Sequence, residues 1–184
     1  NIKQDVGKID FVVHALAFSD KEELKGKYLE TSRTNFLNTL DISAYSFTRV
    51  SRSASQLMQN GGSLLTLTYL GSNRTTPNYN VMGVAKAALE TSVKYLSADL
   101  GKRNIRVNAI SAGPMKTLAG AAISGARHVY RYSEKIAPLN ENPNLEQVGN
   151  AALYLLSDIS SGVTGLTHYV DGGLRVVGIP DQNK

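Results

Sequence analysis

A tyrosine and a lysine with helical spacing are the residues of this sequence with the clearest potential for chemistry. They are Tyr79 and Lys86, seven positions apart. This distance is close to two turns of an α-helix, so both side chains project from the same helix face. A tyrosine hydroxyl stays protonated and can donate a hydrogen bond at pH 7, and a lysine adds positive charge. Gly83 lies between them and would let a flat ligand approach; the alternative is the plain surface of an amphipathic helix.

The elements that must position this pair alternate between short apolar runs and helical patterns. Four runs predict strands, at residues 9–13, 63–68, 105–110 and 166–170. Apolar spacings of three and four predict helices over 41–58 and 79–100, and a further helix begins near Asn144, with Gln147 placed to cap it. Strands that alternate with helices predict an α/β fold with an open, doubly wound parallel sheet. Tyr69 follows the second strand, where the active sites of such sheets lie.

Two connections are longer than the chain geometry needs. Residues 18–28 are polar and charged, and residues 115–135 are rich in small side chains. Both begin at carboxyl ends of predicted strands, where ligands bind in open α/β sheets. Long connections at this edge are expected to act as lids.

A phosphate-binding turn is missing from the pattern. The sequence contains no G-x-G-x-x-G, and its two Gly-Gly pairs do not open a strand–turn–helix unit. One interpretation is that no dinucleotide is bound. The other is that the N-terminal βαβ phosphate-binding unit preceded Asn1, so that residues 1–184 are a single domain forming the C-terminal portion of a Rossmann-like fold. In that case the first strand would have an exposed edge.

Composition excludes several classes of protein. The 184 residues include no cysteine, which rules out disulfides, cysteine nucleophiles and thiolate metal sites. His14, His128 and His168 are isolated, so we expect no metal. No apolar run is long enough to cross a bilayer, and no basic run interleaved with aromatic residues indicates nucleic acid. We therefore expect neither a membrane nor a nucleic acid as partner.

Several segments together resemble bacterial enoyl-acyl-carrier-protein reductases, a divergent branch of the short-chain dehydrogenase/reductase family. The similar segments are residues 14–19, 41–47, 69–71, 77–86, 106–117 and 170–173. Ordinary short-chain dehydrogenases place the lysine four residues after the tyrosine, where this chain has Gly83. They also have Pro-Gly where this chain has Gly113-Pro114. Both departures are those of the enoyl reductase branch, and the resemblance spans the whole chain, matching the C-terminal two-thirds of such a reductase.

The resemblance implies an activity and a cofactor. The activity is hydride transfer from NADH to a trans-2-enoyl thioester, in the last reductive step of fatty acid elongation. Tyr79 would donate to the thioester oxygen, Lys86 would bind the nicotinamide ribose, and Tyr69 would flank the acyl chain. NADH is expected as the family default. Two alternatives stay open: a carbonyl reductase of the short-chain family, and an inactive fragment that binds no cofactor.

The resemblance also implies further contacts and partners. Ser19 would lie near the thioester, and residues 118–123 would cover the acyl chain or form an ordinary surface helix. The expected cofactor contacts are Leu16, Met115, Lys116, Thr117, Leu118 and Ala119. Residues 116–135 carry four basic side chains against one acidic one, which would suit an acidic carrier protein that delivers the substrate. A homotetramer in the cytoplasm is expected.

Overall fold

Four parallel strands form the centre of the structure, a computed structural model that describes residues 2–117 and 124–181. The strands are β1 (Phe11–His14), β2 (Gly62–Thr68), β3 (Ile105–Ala112) and β4 (Thr167–Val170). Their order in the sheet is the order of the chain, β1-β2-β3-β4, and each neighbouring pair is parallel. All four predicted strands are confirmed, and no end differs from its predicted position by more than two residues.

All of the α-helices except α1, which precedes β1, lie between these strands in the sequence. The α-helices are α1 (Ile2–Asp5), α2 (Arg33–Leu40), α3 (Ser46–Ser55), α4 (Asn80–Leu100), α5 (Ala126–Ile136) and α6 (Leu145–Leu156). A π-helical turn, Asp41–Tyr45, joins α2 to α3. Short 3-10 turns occur at Tyr28–Glu30, Leu70–Ser72, Gly101–Arg103, Asp158–Ser160 and Leu174–Val176.

Helices cover both faces of the sheet, which confirms the doubly wound α/β prediction. On one face, α3 and α4 pack on β2 and β3 in a core that contains Phe47, Leu64 and Leu89. On the other face, α6 packs on the same strands around Leu65 and Leu155. Because β2 and β3 are covered on both faces, their sequences are apolar without alternation.

The β1 end of the sheet is exposed, as the sequence analysis expects. In the described part of the chain β1 is an edge strand. Phe11 and Val13 remain 55% and 47% exposed. Apolar side chains at an unpaired edge form a surface that another strand or chain can cover.

One helix prediction was incomplete. The pattern at 41–58 predicts one helix, whereas the helical path begins at Arg33 and passes through the π-helical turn. The residues that α2 buries fully are Asn35 and Thr39, which are polar, and its apolar Phe36 and Leu40 are only partly buried, so the apolar periodicity of this helix is weak. The predicted cap of α6 is confirmed: Asn144 and Gln147 form a reciprocal capping box.

The second long connection is not loop throughout. Its last part, within residues 115–135, is α5, an amphipathic helix entered through Gly125 at a φ of 79°. Residues 118–123, the expected cover for an acyl chain, lie outside the described residues. None of the helices in the described ranges has the length and apolarity needed to cross a membrane.

Candidate active site

The carboxyl ends of the four parallel strands meet at one edge of the sheet, and the predicted site residues follow them. The segment at 15–19 leaves β1, Tyr69 leaves β2, and the segment from Gly113 leaves β3. Helix α4 begins beside this edge, immediately after Tyr79. The structure therefore gathers the candidates from three loops and one helix.

Tyr69 and Tyr79 are in direct contact. Their ring centroids are 5.0 Å apart at an interplanar angle of 62°, an edge-to-face arrangement. Tyr79 is only 6% exposed. Its neighbours Asn78 and Asn80 both have positive φ, 57° and 38°, in the region that asparagine tolerates better than most residues. This unusual backbone turns the Tyr79 side chain inward before the helix starts.

Gly71 and Gly83 have a packing role that the sequence analysis missed. A Cβ on Gly83 would lie 2.6 Å from the carbonyl oxygen of Gly71, and a Cβ on Gly71 would overlap the Tyr79 ring. The interpretation of Gly83 as space for a flat ligand was wrong. The space is occupied by the chain itself, because the loop after β2 crosses α4 at backbone contact distance.

Lys86 is buried beneath this loop. Its side chain is 7% exposed, and its Nζ donates a 2.8 Å hydrogen bond to the carbonyl oxygen of Leu67 near the end of β2. Burial lowers the pKa of Lys86 to about 8, and the negative charge of Glu90 opposes this effect. At pH 7 Lys86 is therefore charged, but its proton is held more weakly than that of an exposed lysine.

The two tyrosines are neutral hydrogen-bond donors at pH 7. Burial raises the pKa of Tyr79 well above its usual range, and Tyr69 and Glu90 add to the effect. Burial also raises the pKa of Tyr69, and a hydrogen bond with Thr76 partly offsets the rise. The site thus combines two phenol donors and a buried cation, an arrangement that can stabilise negative charge on a substrate oxygen.

Comparisons with known proteins match this chain to relatives with the same fold. The family model described as "Enoyl-(Acyl carrier protein) reductase" matches residues 1–175. The chain belongs to this family. Its Rhizobium meliloti relative, enoyl-[acyl-carrier-protein] reductase [NADH] 1, is 61% identical over 97% of this chain. The Rickettsia conorii enzyme with the corresponding name is 56% identical over the same share.

Solved structures support the same assignment of the fold. The crystal structure of the enoyl-(acyl-carrier-protein) reductase from Anaplasma phagocytophilum, in complex with NAD, has a TM-score of 0.94 and 56% sequence identity. It matches 98% of this chain and 69% of its own. The chain spans 65% of the length of the Rhizobium relative and 68% of the Rickettsia one. It thus corresponds to about two thirds of these enoyl reductases.

In this enoyl reductase family member, the segment after β1 is anchored to the π-helical region. Ser43 accepts from the Phe18 backbone N–H at 2.9 Å and donates to the Phe18 carbonyl at 3.0 Å. The Ser19 hydroxyl contacts Thr39 at 2.9 Å and Asn35 at 3.3 Å. Leu16, by contrast, is 56% exposed. The role of Ser19 near a thioester stays a prediction, and its hydroxyl is already engaged by α2.

His14 occupies a structural position in the same region. Its Nδ1 lies 3.0 Å from the Thr66 hydroxyl, and its Nε2 lies 2.8 Å from the Ser46 hydroxyl. Burial lowers the pKa of His14, and the charge of Lys86 lowers it further. Across residues 2–117 and 124–181, no cluster of three potential protein ligands is placed to hold a metal ion.

The segment after β3 is fixed at its start by close packing. The Gly113 N–H donates to the Val170 carbonyl at 2.8 Å, and a Cβ on Gly113 would lie 2.8 Å from Pro143. Further along, the Lys116 ammonium lies 4.8 Å above the Tyr130 ring of α5. Met115 packs against the core beneath α6. Thr117 follows, and its N–H donates to the Met115 carbonyl at 3.0 Å. Leu118 and Ala119 lie outside the described residues.

Four polar residues of this region were missed at the sequence level: Asn35, Thr39, Ser43 and Glu90. A usable signal existed, because Asn35, Thr39 and Ser43 recur at intervals of four, as do Lys86 and Glu90. Polar side chains repeated on one helix face are usually assigned to solvent. Here they are buried because they bind the loops of the site.

The depressed pKa of Lys86 predicts a specific pH dependence of stability. Between about pH 8 and pH 10.5 the unfolded chain keeps the Lys86 proton and the folded chain loses it, so this residue makes stability rise with pH. The full change is about 3 kcal/mol. It should appear as a growing difference in unfolding free energy between the wild type and Lys86→Met, measured with urea at several pH values. A pH-independent difference would contradict the burial of the charged ammonium.

Proposed function

We propose that this chain reduces trans-2-enoyl thioesters bound to acyl carrier protein, as an NADH-dependent enoyl reductase of fatty acid elongation. The observation that carries the proposal is the buried constellation of Tyr69, Tyr79 and Lys86 at the carboxyl edge of the sheet. It occurs in a chain that the enoyl reductase family model matches from residue 1 to 175.

The residues at the edge of the sheet fit the nicotinamide end of the cofactor. Lys86 has three donor hydrogens, and Leu67 accepts one of them, which suits binding of ribose hydroxyls. Leu16 presents an exposed apolar side chain at the end of β1, suited to a flat ring. Met115, Lys116 and Thr117 leave β3 at the same edge, and we propose them, with Leu118 and Ala119, as further contacts. When bound, NADH supplies the hydride.

The protein groups act on the charge that the reduction creates. Hydride addition to the β-carbon gives an enolate with negative charge on the thioester oxygen, and a proton added to the α-carbon then completes the reduction. Tyr79, a neutral phenol at pH 7, would donate a hydrogen bond to that oxygen. The Lys86 ammonium would add favourable electrostatic interaction in a buried setting where water screens little. Tyr69, in edge contact with Tyr79, would support its orientation and flank the acyl chain, and Ser19 would lie nearby.

A pair of substrates tests the type of reaction. We expect oxidation of NADH with crotonyl thioester and none with acetoacetyl thioester. Activity with the keto substrate alone would instead indicate a carbonyl reductase of the short-chain family. Absence of NADH binding in a direct titration would indicate a chain that does not function as a reductase by itself.

Helix α5 offers the surface for the carrier protein. Arg127 and Arg131 are exposed and four residues apart, so they share one helix face, and Lys116 and Lys135 add basic charge nearby. Carrier proteins that are acidic would be steered to such a rim.

We also propose a homotetramer in the cytoplasm, with the exposed apolar residues Leu145, Leu153 and Ile159 among its contacts.

Charge reversal on α5 is expected to impair reduction of the carrier-bound substrate but not of the coenzyme A thioester. Arg127→Glu with Arg131→Glu should raise KM for the carrier-bound enoyl thioester about tenfold and leave the coenzyme A thioester unaffected. The control is Arg49→Glu with Arg52→Glu, an equal charge change on exposed positions of α3. Steady-state kinetics with both substrates measures the difference. Equal losses on the two substrates would rule out a docking role.

A further inference from the structure

A buried carboxylate lies one helical turn beyond Lys86 and has no part in the proposed chemistry. Glu90 is on α4 and is only 9% exposed. Burying a carboxylate is costly unless it is hydrogen-bonded or paired with a positive charge. The contacts of Glu90 therefore indicate why a glutamate occupies this position.

Three side chains from the end of β2 and the following loop bind this carboxylate. Its Oε1 accepts hydrogen bonds from the Thr68 hydroxyl at 2.7 Å and the Ser72 hydroxyl at 2.5 Å. Its Oε2 accepts from the Asn73 amide at 3.2 Å. Hydrogen bonds to an ionised acceptor are roughly twice as strong as neutral ones. Glu90 thus ties the loop to α4 at several points.

The tied loop is the one that carries the candidate catalytic groups. Thr68 immediately precedes Tyr69, and Ser72 immediately follows Gly71, whose backbone lies against the Tyr79 ring. A shift of this loop would therefore change both the edge contact between the tyrosines and the crossing at Gly83.

The same carboxylate acts electrostatically on Lys86, which lies four residues earlier on α4. Its charge stabilises the ammonium form of Lys86 against the effect of burial. On the β4 side, the Asn73 amide donates to the Tyr169 hydroxyl at 3.5 Å, and the Arg175 guanidinium lies 4.1 Å from the centroid of the Tyr169 ring. Nearer to Lys86, three further titratable groups have shifted pKa values: His14 at the end of β1, Tyr69 from the loop and Tyr79 at the start of α4. At pH 7 these three are neutral, so none of them can replace the negative charge of Glu90.

We propose that Glu90 is a positioning residue of the active site: its carboxylate holds the loop that carries Tyr69 and keeps negative charge beside the Lys86 ammonium. The catalytic meaning of this arrangement rests on the proposed function. The position of the loop and the effect of Glu90 on Lys86 do not depend on the proposed function, because both can be measured without substrate.

The electrostatic part is tested by the titration of Lys86 in the whole chain. With ¹³C-labelled lysine, NMR should show a Lys86 midpoint in Glu90→Gln that is about one pH unit below that of the wild type. The control Asp99→Asn removes an exposed carboxylate from the same helix and should leave the midpoint unchanged. The proposal is overturned if Glu90→Gln titrates like the wild type, or if Asp99→Asn produces the same change.

The positioning part is tested with the carboxylate intact. Ser72→Ala with Asn73→Ala removes two donors from the loop, outside the buried core, so the variant should fold even if Glu90→Gln does not. We expect a weaker nuclear Overhauser effect between the rings of Tyr69 and Tyr79, with Lys86 still charged at pH 7. An unchanged ring contact would overturn the role in positioning.

Turnover adds a readout that a purely structural residue would not change. In an active enzyme, Glu90→Gln should move the alkaline limb of the kcat profile to lower pH, and Glu90→Asp should restore it. A profile that keeps its wild-type alkaline limb would overturn the catalytic part. Loss of all activity in the wild type would refute the proposed function alone, since the NMR results would still decide the role of Glu90.

Discussion

Tyr79→Phe is expected to lower kcat for enoyl thioester reduction by about 10²- to 10³-fold, the usual cost of losing one oxyanion-type donor. The change removes the hydroxyl and keeps the ring that packs on Gly71 and against Tyr69. Binding of substrate and NADH should change little, because the hydrogen bond strengthens only as charge develops on the oxygen. Steady-state oxidation of NADH with crotonyl thioester measures the effect.

Tyr95→Phe is the matched control for this substitution. Tyr95 is on the same helix, α4, and its side chain is exposed. It should keep the kcat of the wild type. If Tyr79→Phe also retained that rate, the donor to the oxygen would have to be another group, with Tyr69 as the next candidate.

Gly83→Ala is expected to destabilise the protein by about 2 kcal/mol, within the usual range for overpacking. Alanine favours a helix over glycine by about 1 kcal/mol, but its Cβ would lie 2.6 Å from the Gly71 carbonyl oxygen. Because that contact is with backbone, the loop itself must move away from α4. The movement would displace Gly71 from the Tyr79 ring, so activity should fall together with stability.

At a second helical glycine, Gly149, substitution by alanine is expected to have the opposite effect on stability. Gly149 is exposed on α6, and a Cβ there would meet no atom within 4 Å. Gly149→Ala should therefore stabilise the protein by about 0.5 to 1 kcal/mol through helix propensity and reduced freedom of the unfolded chain. Urea unfolding of both variants measures whether the free energy of unfolding falls in Gly83→Ala and rises in Gly149→Ala. A stable Gly83→Ala would show that the loop does not cross the helix so closely.

Much of the fold could be predicted from local patterns. The strands β2 and β3 are apolar runs because both of their faces are covered, and α4 shows regular apolar spacing because it packs along the sheet. The capping box of α6 could be predicted from Asn144 and Gln147 alone. These features depend on residues close together in the sequence.

The features that could not be predicted depend on contacts between distant segments. Helix α2 buries Asn35 and Thr39 because they bind the loop at Ser19, a partner that a periodicity argument does not include. Helix α5 fully buries a single residue, Ser133, so its contacts with the rest of the protein could not be predicted from a run of apolar residues. The glycine at position 83 is explained only by Gly71, which belongs to another element.

The site shows the same division. The spacing of Tyr79 and Lys86 predicted that both belong to α4, and they lie at its cap and in its second turn, because helical geometry is local. The contribution of Glu90 depends on Thr68, Ser72 and Asn73, which reach it from the loop after β2. Such a cluster has no sequence signature, since each member is an ordinary polar residue.

The order of the strands has a consequence for how the protein folds during synthesis. Because β1, β2, β3 and β4 lie side by side in chain order, each strand pairs with the one made just before it. None of these four described strands has to wait for a segment made later than its own neighbour, which keeps loop-closure costs moderate for a parallel sheet. The sheet can grow in one direction on the ribosome. The edge that carries the candidate site then forms in stages, because Tyr69 is synthesised before the segment that follows β3.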